Sequence, residues 1–165
     1  MALIVEDGTI VTDAESYLSV ADADTIIDER GGNSKWDALT TAQKEVQLRL
    51  STEYLDSNYN FVGDMVEYTQ PLSWPRSGLD RYASNEIPDD VKKALAVLSY
   101  QSIDNPLYTI ESVDNGAIKS EMSKLDVLET KVEYYSGGSG ISQTVFNEVR
   151  NILKRVLKGS SIGRA

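Results

Sequence analysis

The sequence predicts a mainly α-helical fold, a small bundle carrying a β-hairpin and a mobile carboxy-terminal helix. Three observations carry this. Apolar residues recur at helical spacing through residues 19–106, between recognisable caps and stops. Residues 116–135 switch to a period of two. A glycine-serine joint, Ser136-Gly137-Gly138-Ser139-Gly140, then precedes a last amphipathic stretch within 141–165.

Residues 1–18 read as an extended arm, in which Leu3 to Val11 holds two β-branched pairs around Gly8. Ser19 can cap a helix from Val20 to Arg30, with Ala23, Ile26 and Ile27 as its apolar stripe, and Gly31-Gly32 stops it. Asp22, Asp24, Asp28 and Glu29 suggest a calcium loop. Such a loop needs an oxygen ligand, a glycine and a glutamate where this chain has Ile26, Ile27 and Asn33, so the four acids are read as a solvated face. Thr40 and Gln43 have capping-box spacing, with Leu39 as a staple, and open a helix reaching Tyr59. Its stripe is Ala42, Val46, Leu50 and Tyr54, widened by Leu48 and Leu55, and Glu45 and Arg49 have ion-pair spacing.

The loop from Gln70 to Val91 organises the rest. Pro71, Pro75 and Pro88 restrict its backbone, and Trp74 gives it one large apolar anchor to bury on the two long helices. Arg76 beside that anchor is a candidate partner contact. Pro88 and Asp89-Asp90 start the next helix, which Asn105-Pro106 must end, and Val91, Ala94, Leu95, Leu98 and Ser102 line its inner face. Ile118 and Met122 share one face of an extended segment, and Leu128, Thr130, Val132 and Tyr134 one face of the next, with Lys124-Leu125-Asp126 as the turn. The glycine-rich joint lacks the lysine of a phosphate-binding P-loop. The last helix runs from Gln143 to Lys158 with Val145, Phe146, Val149, Leu153, Val156 and Leu157 on its apolar face, followed by a small polar tail.

A chain of 165 residues has the size of one domain, 1–165. It contains no cysteine and no histidine, so disulfides, thiolate chemistry, the commonest general base and the commonest transition-metal ligand are all missing. No catalytic, metal or cofactor set assembles, and the expectation is a non-enzymatic protein that needs no cofactor. No apolar stretch is long enough to cross a membrane. A net charge of -10 predicts negligible affinity for single-stranded DNA at physiological salt, because phosphate affinity comes largely from lysine and arginine. The charge is uneven, however: residues 1–29 hold eight acids and no base, whereas residues 149–165 hold five bases and no acid. Among the nine tyrosines only Tyr134-Tyr135, beside Lys131 and opposite Lys119, approaches a base-stacking platform, and it is read as aromatic cover for one hairpin face.

Several segments, taken in order, carry a resemblance: Ala2-Leu3-Ile4-Val5-Glu6-Asp7-Gly8, Ser16-Tyr17, Trp36, Trp74-Pro75-Arg76-Ser77-Gly78, Glu86-Ile87-Pro88, Gly116-Ala117-Ile118-Lys119-Ser120-Glu121 and Val132-Glu133-Tyr134. Together they resemble the head-tail adaptor, or head-completion, proteins of tailed phages, over about residues 1–135. That family often carries the label of a DnaT-like single-stranded DNA-binding protein. The adaptor resemblance implies a structural protein of the virion, assembled in the host cytoplasm. It further implies a homo-oligomeric ring, commonly of twelve copies, between the portal protein and a tail-side or stopper protein, with DNA passing through the channel without tight binding. Arg150, Lys154, Arg155, Lys158 and Arg164 would then bind the portal. The alternative from another class is single-stranded DNA binding.

Overall fold

The computed structural model describes residues 2–31, 34–110, 118–124, 129–134, 141–143 and 146–158. The chain divides into two compact units, one joining Met1–Pro106 to Val145–Ala165 and the other formed by Leu107–Thr144. The first holds helices α1 (Val20–Glu29), α2 (Ser34–Asp37), α3 (Thr41–Asn58), α4 (Asp89–Gln101) and α5 (Asn147–Leu153), with a short ribbon of β1 (Asp64–Met65) and β2 (Arg76–Ser77). The second holds β3 (Tyr108–Ile110), β4 (Ile118–Lys124), β5 (Glu129–Tyr134) and β6 (Ile141–Gln143). The predicted class, a small mainly helical bundle with an antiparallel hairpin and a carboxy-terminal helix, is what the chain forms.

α4 is the centre of the first unit. Val91, Ala94, Leu95, Ala96, Val97, Leu98 and Ser99 are all buried, and α1, α3 and α5 each pack against it. Six consecutive buried residues, Ala94 to Ser99, enclose the middle of the helix while Asp89 and Lys93 stay exposed near its start. Of the expected inner face Val91, Ala94, Leu95 and Leu98 are buried and Ser102, past the end of the helix, is only partly so. Pro88 sits at its N-cap, and Asp89 and Asp90 occupy the first turn. The helix ends at Gln101, short of the Asn105-Pro106 stop.

The caps form as predicted. Ser19 Oγ accepts from Asp22 N at 3.1 Å, and at α3 Thr40 Oγ1 accepts from Gln43 N at 3.4 Å while Gln43 Oε1 accepts from Thr40 N at 2.9 Å. The buried face of α3 differs from expectation. Leu48, Ser51, Thr52, Tyr54 and Leu55 are buried, whereas Val46 and Leu50 are 49% and 45% exposed. The predicted stripe repeats every four residues and so drifts around a helix of 3.6 residues per turn. The small Ser51 and Thr52 favour the face where α3 meets α4. Within this face Thr52 Oγ1 donates back to Leu48 O at 2.8 Å.

Asp24 also leaves its expected solvated face. It accepts from Trp36 Nε1 at 2.6 Å and pairs with Lys44 at 2.8 Å, and Lys44 Nζ lies 5.4 Å from the centre of the Trp36 ring. This cluster joins α1, α2 and α3 around a fully buried tryptophan.

In the amino-terminal arm the expected strand reduces to a single parallel bridge between Val5 and Ser16, because the chain turns after Glu6 and loops round to run alongside its own start. The Glu6 carboxylate drives that turn by accepting from the main-chain N–H of Gly8, Ile10 and Val11 at 2.8, 3.0 and 2.9 Å.

At the other end, α5 begins at Asn147 rather than Gln143, since Ile141–Gln143 is strand β6, paired antiparallel with β3. Phe146, Val149, Leu153 and Val156 close the core of the first unit, with the Phe146 ring edge-on to Tyr54 at 5.8 Å. The hairpin forms where expected, β4 against β5 from Ile118↔Tyr134 to Lys124↔Glu129, with a register shift between Ile118 and Ser120. Of its predicted turn, Lys124-Leu125-Asp126, Lys124 is the last residue of β4, paired with Glu129, and the other two lie outside the described residues.

The two faces of α3 are separable by mutation. Leu55→Ala is expected to lose about 2–5 kcal/mol of stability in urea unfolding, and Leu50→Ala no more than about 0.5 kcal/mol.

Candidate nucleic-acid interface

The loop predicted to organise the chain is tied down from several sides. Asp56, on α3, accepts from the Tyr17 hydroxyl at 2.7 and 2.9 Å and from Ser73 N at 2.9 Å. Tyr17 Oη in turn accepts from Trp74 N at 3.2 Å. Burial pushes the Asp56 carboxyl above the usual carboxylate range. Burial, reinforced by the adjoining Asp56 charge, pushes the Tyr17 hydroxyl well above its ordinary value. The Gln70 side chain accepts from Glu67 N at 3.0 Å and donates to Leu72 O at 2.8 Å and Pro75 O at 3.0 Å.

Trp74, expected to bury on the two long helices, is fully buried, and its ring lies edge-on to Phe61 at 5.7 Å and Tyr82 at 6.4 Å, both outside those helices; a cis bond to Pro75 follows. Arg76, proposed from the sequence as a partner contact, points its guanidinium at main-chain carbonyls instead. It donates to Val62 O at 2.7 Å, Gly63 O at 2.6 Å and Ser73 O at 3.1 Å. Gly63 meets the other side of the ribbon so closely that an added Cβ would lie 2.4 Å from Ser77 O, at a φ of +73°.

This loop positions the basic end of the chain. Asn60 to Val62 leave α3 and run beside residues 156–158: Val62 N donates to Val156 O at 2.9 Å, Lys158 N donates to Asn60 O at 2.8 Å, and Phe61 and Leu157 form an antiparallel bridge. Leu153 and Val156 are buried, whereas Arg150, Lys154, Arg155 and Lys158, on α5 and the segment that follows it, are exposed. None of the four is paired with an acid among the described residues. Tyr59, at the end of α3, is half-buried beside them. Burial and then Tyr54 raise its hydroxyl pKa, and the charge of Arg150 opposes that rise. A row of free cations next to a partly exposed aromatic ring is the arrangement that holds phosphates and stacks a base.

Four of the five basic residues singled out in the sequence are exposed, and Arg164 lies outside the described residues. The sequence reading missed Tyr59, whose only signal was its place at a helix end. On the hairpin, register sets Tyr134 opposite Ile118, while Tyr135 lies outside the described residues. Tyr68, 96% exposed, follows Glu67 in the ribbon loop, where acidic neighbours oppose phosphate. Among the described residues no group of acids is arranged to hold a metal ion, and no helix is long and apolar enough to cross a membrane.

A family model described as putative DnaT-like ssDNA binding protein matches residues 1–165. The chain belongs to this family. No curated protein and no solved structure matches it. The match overturns the head-tail adaptor assignment, and with it the virion, connector and portal-binding roles drawn from that resemblance. The residues behind the resemblance explain why it misled. Glu6 turns the arm, and Gly8 lies where a Cβ would be 2.0 Å from Asn85 O. Trp36 and Trp74 are core and Arg76 is a clamp. Such residues report how a fold is held together and say little about the surface it presents.

Trp74→Ala is expected to lose about 3–5 kcal/mol, read from the urea midpoint at unchanged slope. The raised Asp56 pKa has a definite sign. The folded state holds that proton more tightly than the unfolded chain does, so stability from this group is fully present below the ordinary carboxylate value. It is lost as pH rises through the raised folded value. Wild type should therefore lose stability relative to Asp56→Asn across that window, as measured by urea unfolding at a series of pH values. A constant difference between the two proteins would contradict the assignment.

Proposed function

We propose that this protein binds single-stranded DNA as a non-enzymatic binding module, through the edge formed by Arg150, Lys154, Arg155, Lys158 and Tyr59. The observation that carries the reading is the row of exposed cations free of acidic partners among the described residues, on a chain whose net charge is -10. The family match to putative DnaT-like ssDNA binding proteins supports it. The negligible affinity expected from net charge is replaced by a local argument, because phosphates respond to the charges within about one Debye length, roughly 8 Å at physiological salt. Cations would neutralise the backbone while Tyr59 stacks on one base, a combination that tolerates any sequence.

Fluorescence anisotropy with a labelled oligothymidylate tests it. Binding should weaken with salt, the logarithm of the binding constant falling by about 0.7 per phosphate contact for each unit of log salt, hence with a slope of about -3 for four cations. Replacing Lys154, Arg155 and Lys158 together by glutamate should abolish binding without moving the melting temperature, and Tyr59→Ala should weaken it by about 1–3 kcal/mol. Salt-independent binding, or wild-type affinity in the triple variant, would refute the reading.

A further inference from the structure

A cavity of about 210 Å³ opens where the C-terminal ends of α1 and α4 meet the first turn of α5. Ile27 and Val97 form its apolar floor, Tyr100 is a half-buried wall, and Arg30, Gln101 and Glu148 form its polar side. The Glu148 carboxylate is held by two donors, with Arg30 Nη2 on one oxygen and Gln101 Nε2 on the other at 2.6 Å. With one donor on each oxygen the carboxylate has capacity for further donors, and the Arg30 and Glu148 side chains, both lining the cavity, remain 44% and 47% exposed.

We infer that this cavity is a guanine-selective base pocket. The inference rests on the single-stranded DNA reading and adds a specificity to it. An oriented carboxylate beside a guanidinium presents two acceptors and then a donor. Among the DNA bases only guanine offers the complement along one edge, with N1–H and the exocyclic amine donating and O6 accepting. Adenine and cytosine place an acceptor ring nitrogen against the carboxylate, and thymine flanks its one N–H with two carbonyls that the carboxylate repels. Tyr100 and the apolar floor cover the faces of the base. The location also suits a strand lying on the basic edge. α5 carries Glu148 in its first turn and Lys154 at its C-cap, roughly 9 Å apart along the axis at 1.5 Å per residue.

The test uses dGMP, dAMP, dCMP and dTMP titrated separately into the full chain, followed through the amide resonances of Val97, Tyr100 and Gln101. dGMP should shift these saturably and bind about tenfold more tightly than the other three, as expected for a bidentate edge contact. Glu148→Gln should remove the preference. Since that variant also loses the Arg30 pair, dIMP, which lacks the exocyclic amine, supplies a test with unaltered protein and should bind several-fold more weakly than dGMP. Equal binding of all four nucleotides, unmoved pocket resonances, or dIMP equal to dGMP would overturn the inference. These outcomes are separate from the fate of the basic edge, because a mononucleotide reads the pocket while the oligothymidylate reads the edge.

Discussion

The partly buried carboxylate of Asp56 is the constraint on which the rest of the first unit depends. A charge removed from water needs donors to replace it, and here the donors come from two distant segments, the Tyr17 hydroxyl and the main chain at Ser73. One side chain on α3 therefore fastens both the amino-terminal arm and the long loop. With Ser73 held, Trp74 enters the core against Phe61. With Phe61 held, the segment from Asn60 to Val62 forms the edge on which residues 156–158 lie. The geometry of the basic edge thus traces back, contact by contact, to one acid almost a hundred residues earlier in the chain.

That chain of contacts also resolves how an acidic protein can offer a cationic surface. Many of its acids already hold partners within the chain. Glu6 holds three main-chain N–H groups, Glu15 pairs with Arg49 at 2.9 Å, Asp24 serves Trp36 and Lys44, and Glu148 serves Arg30 and Gln101. The bases from Arg150 onward have no such partners among the described residues. Net charge averages over all of these groups and hides the difference. A phosphate close to the surface responds to its neighbours within a screening length and to little else.

Much of the fold was legible in the sequence wherever the signal is local. The Ser19 and Thr40 caps, the proline and paired aspartates that open α4, and the period-two run of the hairpin act within a few residues, and all formed. Misreadings arose where two faces competed. α3 offers apolar residues on both sides, and sequence spacing gave no reason to prefer the face of Leu48 and Leu55 to that of Val46 and Leu50. Gln143 is assigned to the last helix by local pattern, whereas it belongs to β6, whose partner strand β3 lies more than thirty residues upstream in the chain. Arg76 looked available because its three carbonyl partners are contributed by the path of the loop.

By itself the sequence determined the class of the fold, the caps of α1 and α3, the start of α4, the burial of Trp74, and the concentration of positive charge at the carboxy-terminal end. These follow from residue type, periodicity and short-range hydrogen bonding, which need no knowledge of where distant segments go. The tertiary structure alone decided which face of α3 is core, that Asp24 engages Trp36 and Lys44 and Arg76 engages main-chain carbonyls, and that Tyr59 lies near Arg150. It alone also set Glu148 between Arg30 and Gln101 at the mouth of a cavity. Each of those outcomes depends on a contact between segments far apart in the chain, and pairing of that kind is selected by the packing of the whole core, which no local pattern encodes.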